Sequence, residues 1–361
     1  MSSKMDLSGI DRRIGGLFMV GLPGTALDGE TDGFIQKYRP AGLILFSRNI
    51  RNPLQLAMLC NDLQDRAMKY HGVPLFLSVD QEGGRVARLG KPFTLFPGNT
   101  AIGKDPSPVE RALHFARTTA KEMRLVGLNM DLAPVVDVLR GKPEKHLEGR
   151  AFGGDPGKVA LLGSTVIREL QANGIMAVAK HFPGLGGTTL DPHHQLPTIN
   201  VPASELERVD LVPFAAAIDS DVSAIMTSHA RYPALDADNP ATLSKRIIMS
   251  VLRERMGFNG LIISDDLEMG AIRKKWGVAG GIAASFAAGA DILLVCQDQK
   301  RAVEGIELLK ENLIRDESLS LRLDQSLARI AAAKTRFLRD WEKASSEEVR
   351  SYFGLPADGR G

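Results

Sequence analysis

Ile175-Met176-Ala177-Val178-Ala179-Lys180-His181-Phe182-Pro183-Gly184 is the stretch on which the fold turns. Five apolar residues in succession read as a buried strand. The run stops at Lys180 and His181 and gives way to a loop rich in Gly and Pro, with Gly184, Gly186 and Gly187. An Asp191-x-His193 pair lies near the far end of that loop. Charged groups where a buried strand ends, with a titratable pair on the loop beyond, suit a catalytic cleft better than a packed core.

The same arrangement recurs along the chain. Strand-length apolar runs occur at 17–22, 42–46, 75–80, 128–133, 175–181, 223–228, 261–265 and 290–295, bounded by Gly, Pro or polar residues. Several are apolar on both faces, as parallel strands covered by helices must be. Apolar residues at helical spacing fill most of the gaps, over 54–70, 109–125, 159–171, 206–218, 244–256 and 303–314. Ser107, with Glu110 three residues on, predicts a capping box at one helix start. Alternating strands and helices give an α/β class. Eight repeats favour a closed (β/α)8 TIM-type barrel over a doubly wound open sheet. No low-complexity linker interrupts the pattern, so the reading is a single domain: a barrel over 1–340 and a polar tail over 341–361, part surface helix and part loose end.

Composition narrows the function. A chain of 361 residues buries roughly three quarters of its unfolded surface, enough for a core without staples. Lys plus Arg number 45 against 43 for Asp plus Glu, a net of +2, so no basic field points to nucleic acid. The two cysteines, Cys60 and Cys296, are far apart and lack a metal-ligand spacing, which fits a reducing compartment. Lys4, Arg12 and Arg13 precede only the short apolar run Leu17-Phe18-Met19-Val20, with no small-residue cleavage pattern after it. The expectation is no signal peptide, no membrane span and a cytoplasmic setting.

A barrel of this kind works at the C-terminal ends of its strands. The third run ends in Asp80-Gln81-Glu82-Gly83-Gly84-Arg85, with Arg88 just beyond. The fourth carries Asp131, with Asp137 following, and the fifth ends in Lys180-His181. The sixth ends in Thr227-Ser228-His229 and the seventh in Ser264-Asp265-Asp266. Five of eight ends bearing titratable groups read as a catalytic mouth.

The segments Asp80-Gln81-Glu82-Gly83-Gly84-Arg85-Val86, Arg150-Ala151-Phe152-Gly153, Lys180-His181-Phe182-Pro183-Gly184, Asp191-Pro192-His193 and Ser264-Asp265-Asp266-Leu267 resemble those of glycoside hydrolase family 3. The likeness is greatest to its single-domain β-N-acetylglucosaminidase branch, whose members recycle peptidoglycan fragments. It runs from about Ile14 to about Leu338. The resemblance implies a TIM-type barrel, a retaining mechanism through a covalent glycosyl-enzyme, no metal and no cofactor. The implied partner is a small, muropeptide-like carbohydrate.

Carried over by matching motif, Asp265 is the expected nucleophile. A carboxylate can attack an anomeric carbon and leave again, splitting one hard displacement into two easier ones. Asp265 lies two residues from Ile263 and shares its strand face; Asp266 then points away, as a helix N-cap or a bond to a neighbouring loop. His193 is the expected acid/base and Asp191 its partner. An imidazole can give a proton to the leaving oxygen and take one from water, and a carboxylate orients the ring and stabilises its cation. Gly184, Gly186 and Gly187 are expected to let the loop swing. The plainer reading of Asp191-x-His193 is an Asx-turn with an exposed His. Asp80, Arg88, Arg150, Lys180 and His181 match positions that hold the terminal sugar, and such groups supply what hydroxyls and an acetamido carbonyl need. Asp131 and His229 read first as braces, Glu82 as support for the Gly83-Gly84 turn, and His194 as a surface residue. One departure stands out: the family commonly has His and Asp where this chain has Leu185 and Gly187.

Other chemistries compete. A metal-dependent barrel hydrolase would draw on His181, His193, His229, Asp131 and Asp265, but the first two strands end in Gly21-Leu22 and Phe46-Ser47 without paired ligands. A Schiff-base lyase would use Lys180. A β-glycosidase of other specificity, a glycoside phosphorylase and a catalytically weakened sugar-binding protein complete the alternatives.

Overall fold

The computed structural model describes residues 9–141, 144–316 and 318–356. Each of the eight apolar runs forms one strand: β1 (Phe18–Gly21), β2 (Gly42–Leu45), β3 (Phe76–Val79), β4 (Met130–Asp131), β5 (Met176–Phe182), β6 (Ala224–Thr227), β7 (Leu261–Ile263) and β8 (Leu293–Val295). They make one parallel sheet in the spatial order β7-β6-β5-β4-β3-β2-β1-β8. β1 pairs with both β2 and β8, with Phe18 opposite Leu293. A parallel bridge between Ile263 and Ile292 brings β7 to β8 and closes the ring. The expected (β/α)8 barrel is the observed fold.

Every residue of these strands is buried. That is why the runs are apolar throughout rather than alternating. Parallel neighbours need a crossover, and the helices supply it. The helix Pro53–His71 shows how its sequence sets its ends. Asn52 accepts from the Gln55 N–H at 2.9 Å, Pro53 sits where no N–H is needed, and Gly72 stops the helix at a φ of 63°. Its Leu56, Leu59 and Leu63 are buried, each contributing about 1.5–3 kcal/mol. At the seam, Asp291 is fully buried and ties β7 to three cations. One oxygen accepts from the Ile262 N–H (3.0 Å) and Arg253 (2.5 Å), the other from Arg322 (3.1 Å) and Arg329 (3.3 Å).

One expectation needs correction, and two features extend the sequence reading. Ser107 does precede the helix Pro108–Leu125, but its side chain makes no cap bond. Asp105 instead fixes the turn before the helix, accepting from the Ser107 N–H at 2.9 Å and from the Arg111 side chain at 3.0 Å. The helices Gly29–Tyr38 and Val278–Ala288 fall outside the predicted helical spans, although the first buries a stripe of Thr31, Phe34, Ile35 and Tyr38. The second is small and apolar all round, and it packs so closely that a Cβ on Gly305 would lie 2.4 Å from Ile282. The C-terminal helix, Ser346–Phe353, is a surface helix, as expected, and it is docked on the barrel. Val349 is buried, the Phe353 and Phe93 rings meet edge to face at 4.8 Å, and Asn61 and Ala344 exchange two hydrogen bonds of 2.9 Å. Lys4 and tail positions 357–361 lie outside the described residues. Among the described residues, no helix is long and apolar enough to cross a membrane.

Candidate active site

A cavity of about 370 Å³ opens at the C-terminal ends of the strands. Asp80, Arg88, Arg150, Lys180, His181, Asp191, His193 and Asp265 all line it. The structure therefore brings together every residue singled out from the sequence for the reaction or the sugar.

The floor is a charge network built from β3 and β5. Asp80 leaves β3 and accepts from Lys180 Nζ at 2.8 Å and Arg88 at 3.2 Å. Glu82 stands on the short hairpin that follows, wholly buried. It receives Arg150 through Nε (2.7 Å) and Nη2 (2.8 Å), and Lys180 at 2.7 Å. Glu82 is thus the clamp for two site cations, not a support for the Gly83-Gly84 turn. That turn holds itself, both glycines having positive φ and the Gly84 N–H bonding Phe96. Burial alone would raise the Glu82 carboxyl, but Arg150 and Lys180 hold it far below the usual carboxylate range. Burial would likewise discharge Lys180, and Asp80 and Glu82 instead keep its ammonium pKa above normal. An amine so held is no Schiff-base nucleophile.

His181 and Lys180 end β5, and the peptide joining them is cis. His181 is fixed by Asp137, which accepts from its Nδ1 at 2.8 Å, from its N–H at 3.2 Å and from the Leu185 N–H at 2.7 Å. Burial pushes Asp137 up, but His181 and these N–H groups bring it below normal. An ionised carboxylate only accepts, so Nδ1 carries the proton toward Asp137 and Nε2 is left for the cavity. Sequence reading noted Asp137 without giving it this part. The signal was present, because Val135 and Val136 continue the apolar run that was ended at 133.

The loop beyond β5 carries Asp191 and His193. Asp191 accepts from the His193 N–H at 2.9 Å and from His193 Nδ1 at 2.7 Å. The Asx-turn and the dyad are therefore one structure. Asp191 is raised by partial burial but lowered more by those His193 bonds. Nδ1–H faces Asp191, and Nε2 has no hydrogen-bond partner among the described residues, on a side chain 57% exposed. At Gly186 the glycine serves packing, since a Cβ would lie 1.9 Å from the Val138 carbonyl. Leu185 is buried against the cavity.

Asp265 follows β7 and accepts the Asp266 N–H at 2.8 Å. Burial favours its neutral form, but His229, His181 and that N–H outweigh it and keep the carboxyl below normal. Asp266 binds the N–H groups of Glu268 (3.1 Å) and Cys296 (3.3 Å), the neighbouring-loop contact expected of it, but it lines the cavity beside Asp265 instead of lying away from it. Burial pushes it up to about 7. His229 donates Nε2–H to the Asp266 carbonyl at 2.9 Å, and Asp131 accepts from the Gln81 N–H at 3.0 Å. Both brace rather than line the cavity. Burial also raises Asp131 to about 7. Arg150 is presented by a loop fastened at Asn99, which donates to the Arg150 carbonyl at 2.7 Å. Among the described residues, no three His, Cys, Asp or Glu side chains converge as a metal ion would require.

Residues 9–333 match the model of the glycosyl hydrolase family 3 N terminal domain. A beta-hexosaminidase of Pseudomonas aeruginosa is 39% identical over 287 residues, 80% of this chain and 84% of its own. A family 3 beta-N-acetylglucosaminidase from Paenibacillus superposes with a TM-score of 0.88 at 35% identity, covering 95% of this chain and 68% of that one. NagZ from Neisseria gonorrhoeae, solved in complex with N-trifluoroacetyl-D-glucosamine, gives 0.73 at 28% identity over 95% of this chain and 98% of its own.

Proposed function

The chain belongs to glycosyl hydrolase family 3, and from that premise we propose that it is a retaining β-N-acetylhexosaminidase. It releases terminal β-linked N-acetylglucosamine from peptidoglycan-derived fragments. The observation that carries this reading is the pairing, in one cavity, of the ionised Asp265 with the 2.7 Å Asp191–His193 dyad. The sugar assignment is supported by the relatives' activities and by the N-acylated glucosamine held in the gonococcal structure.

In the first step an Asp265 oxygen attacks the anomeric carbon while protonated His193 gives its Nε2 proton to the departing glycosidic oxygen. The C–O bond to the aglycone breaks, and a glycosyl–Asp265 ester forms. Asp191 stabilises the imidazolium before transfer and fixes the ring throughout. In the second step neutral His193 takes a proton from water, the hydroxide oxygen bonds the anomeric carbon, and Asp265 leaves as carboxylate. Two displacements return the β configuration. Asp80, Arg88, Arg150, Lys180 and His181 hold the sugar's hydroxyls and acetamide. Cys60 and Cys296 are both unpaired, which supports a reducing, cytoplasmic setting.

The test is turnover of matched aryl β-glycosides of N-acetylglucosamine and glucose. The reading expects the N-acetylglucosaminide to be cleaved with the higher kcat/KM. Preference for the glucoside would overturn the sugar assignment.

A further inference from the structure

The acid/base loop is held at its two ends, by the Arg140 N–H at the Gly186 carbonyl and by Arg231 at Pro197 and Ile199, and is gripped again between them, beside His193. Among the described residues, the backbone hydrogen bonds reaching 188–196 from elsewhere come from Gly270 and Ala271. Gly270 N–H donates to the His193 carbonyl at 3.0 Å, and Ala271 N–H to the Pro192 carbonyl at 3.2 Å. These two residues open the helix Gly270–Trp276, and N–H groups in a helix's first turn have no partner within the helix. The loop supplies that partner. The approach is close enough to require glycine, because a Cβ on Gly270 would lie 2.8 Å from the carbonyl oxygens of both His193 and His194. Gly270 also follows Asp265 by only five positions. The backbone that carries the nucleophile out of β7 is therefore the backbone that holds the loop.

We propose that Gly270 is a positioning residue for the reaction: its bare Cα lets the helix behind Asp265 seize the loop backbone at Pro192 and His193 and so place His193 over the cavity. This rests on the reading of His193 as acid/base. Nothing in the fold needs a glycine here otherwise, since its φ is not in the left-handed region. A methyl at 270 pushes the loop away and leaves Asp265 on its strand end. The first displacement then proceeds for a leaving group that departs unprotonated and fails for one that needs the proton. The second displacement slows for both, because water has lost its base.

The experiment compares Gly270→Ala, Ala271→Pro and His193→Ala with the parent enzyme on phenyl and dinitrophenyl N-acetyl-β-glucosaminides. Ala271→Pro deletes one gripping N–H in the first turn, where that N–H has no partner within the helix, so it carries the test if Gly270→Ala folds poorly. Both variants should lose at least about tenfold in kcat/KM on the phenyl glycoside and less than about threefold on the dinitrophenyl one. Their kcat on the dinitrophenyl glycoside should fall and be restored by azide, which attacks the glycosyl-enzyme without a base. Damage to the fold at large is not rescued by azide. If His193→Ala shows this selectivity and the two gripping variants lose equally on both substrates, or lose nothing, the role of Gly270 is overturned. If His193→Ala itself is unselective, the acid/base assignment falls first, and the proposal with it.

Discussion

Replacing Glu82 by Gln removes the carboxylate that is ion-paired with both Arg150 and Lys180. In the parent, three donors meet this carboxylate between 2.7 and 2.8 Å with no solvent access to it. The amide keeps a single acceptor oxygen and turns an NH2 toward the cations. Arg150 is left with the His146 carbonyl at 3.1 Å, and Lys180 with Asp80. Breaking a buried pair by removing one partner costs about 3–5 kcal/mol. For a chain of 361 residues the unfolding entropy converts this to a fall of about 4–7 °C in Tm. The sign of the pH dependence follows from the depressed carboxyl. Its stabilisation is complete above the unfolded-state value of about 4.3 and is lost only as pH falls toward the lower folded value. The gap between parent and variant should hold at neutral and mildly acidic pH and shrink in strong acid. Thermal unfolding of both proteins from pH 7 to pH 3 measures it, and KM for an aryl N-acetylglucosaminide should rise as Arg150 loses its bearing. A variant within about 1 kcal/mol of the parent at pH 7 would return Glu82 to the rank of a turn residue and refute the clamp.

Three other substitutions probe the mouth. Asp137→Asn withdraws a charged acceptor from His181 and Leu185, worth about 1.5–3 kcal/mol or roughly ten- to a hundredfold in kcat/KM; an unchanged value would mean that His181 needs no orienting partner. Gly186→Ala places a methyl against the Val138 carbonyl and should destabilise the enzyme, whereas Gly187→Ala meets side chains alone, Arg140 at 3.1 Å and Ile199 at 3.5 Å, and should cost less. Equal tolerance by thermal unfolding would show that Gly186 serves mobility rather than packing.

How much of this was legible beforehand depended on range along the chain. The strands announced themselves because two-sided burial makes each run apolar within a few residues, as in 175–181. The dyad was readable because Asp191 and His193 are two apart and their bond is local. Ser107 fails to cap because Asp105 binds its N–H in a turn that composition does not encode. Glu82 was misjudged because its partners, Arg150 and Lys180, lie 68 and about a hundred positions away and meet it only when β3 and β5 are set in one ring. The Gly270 contact with the acid/base loop is of the same kind. No local pattern distinguishes a glycine that starts a helix from one that must admit another segment's carbonyl.

The account stands most directly on Asp265 as the group that bonds the sugar. Incubation with a slowly turned-over 5-fluoro N-acetylglucosaminide, followed by peptide mass mapping, should find one sugar attached to the peptide containing Asp265, and His193→Ala should raise its yield by slowing the second step. A sugar found on Asp80 or Asp191 instead, or turnover with no sugar on the protein at any time, would contradict it.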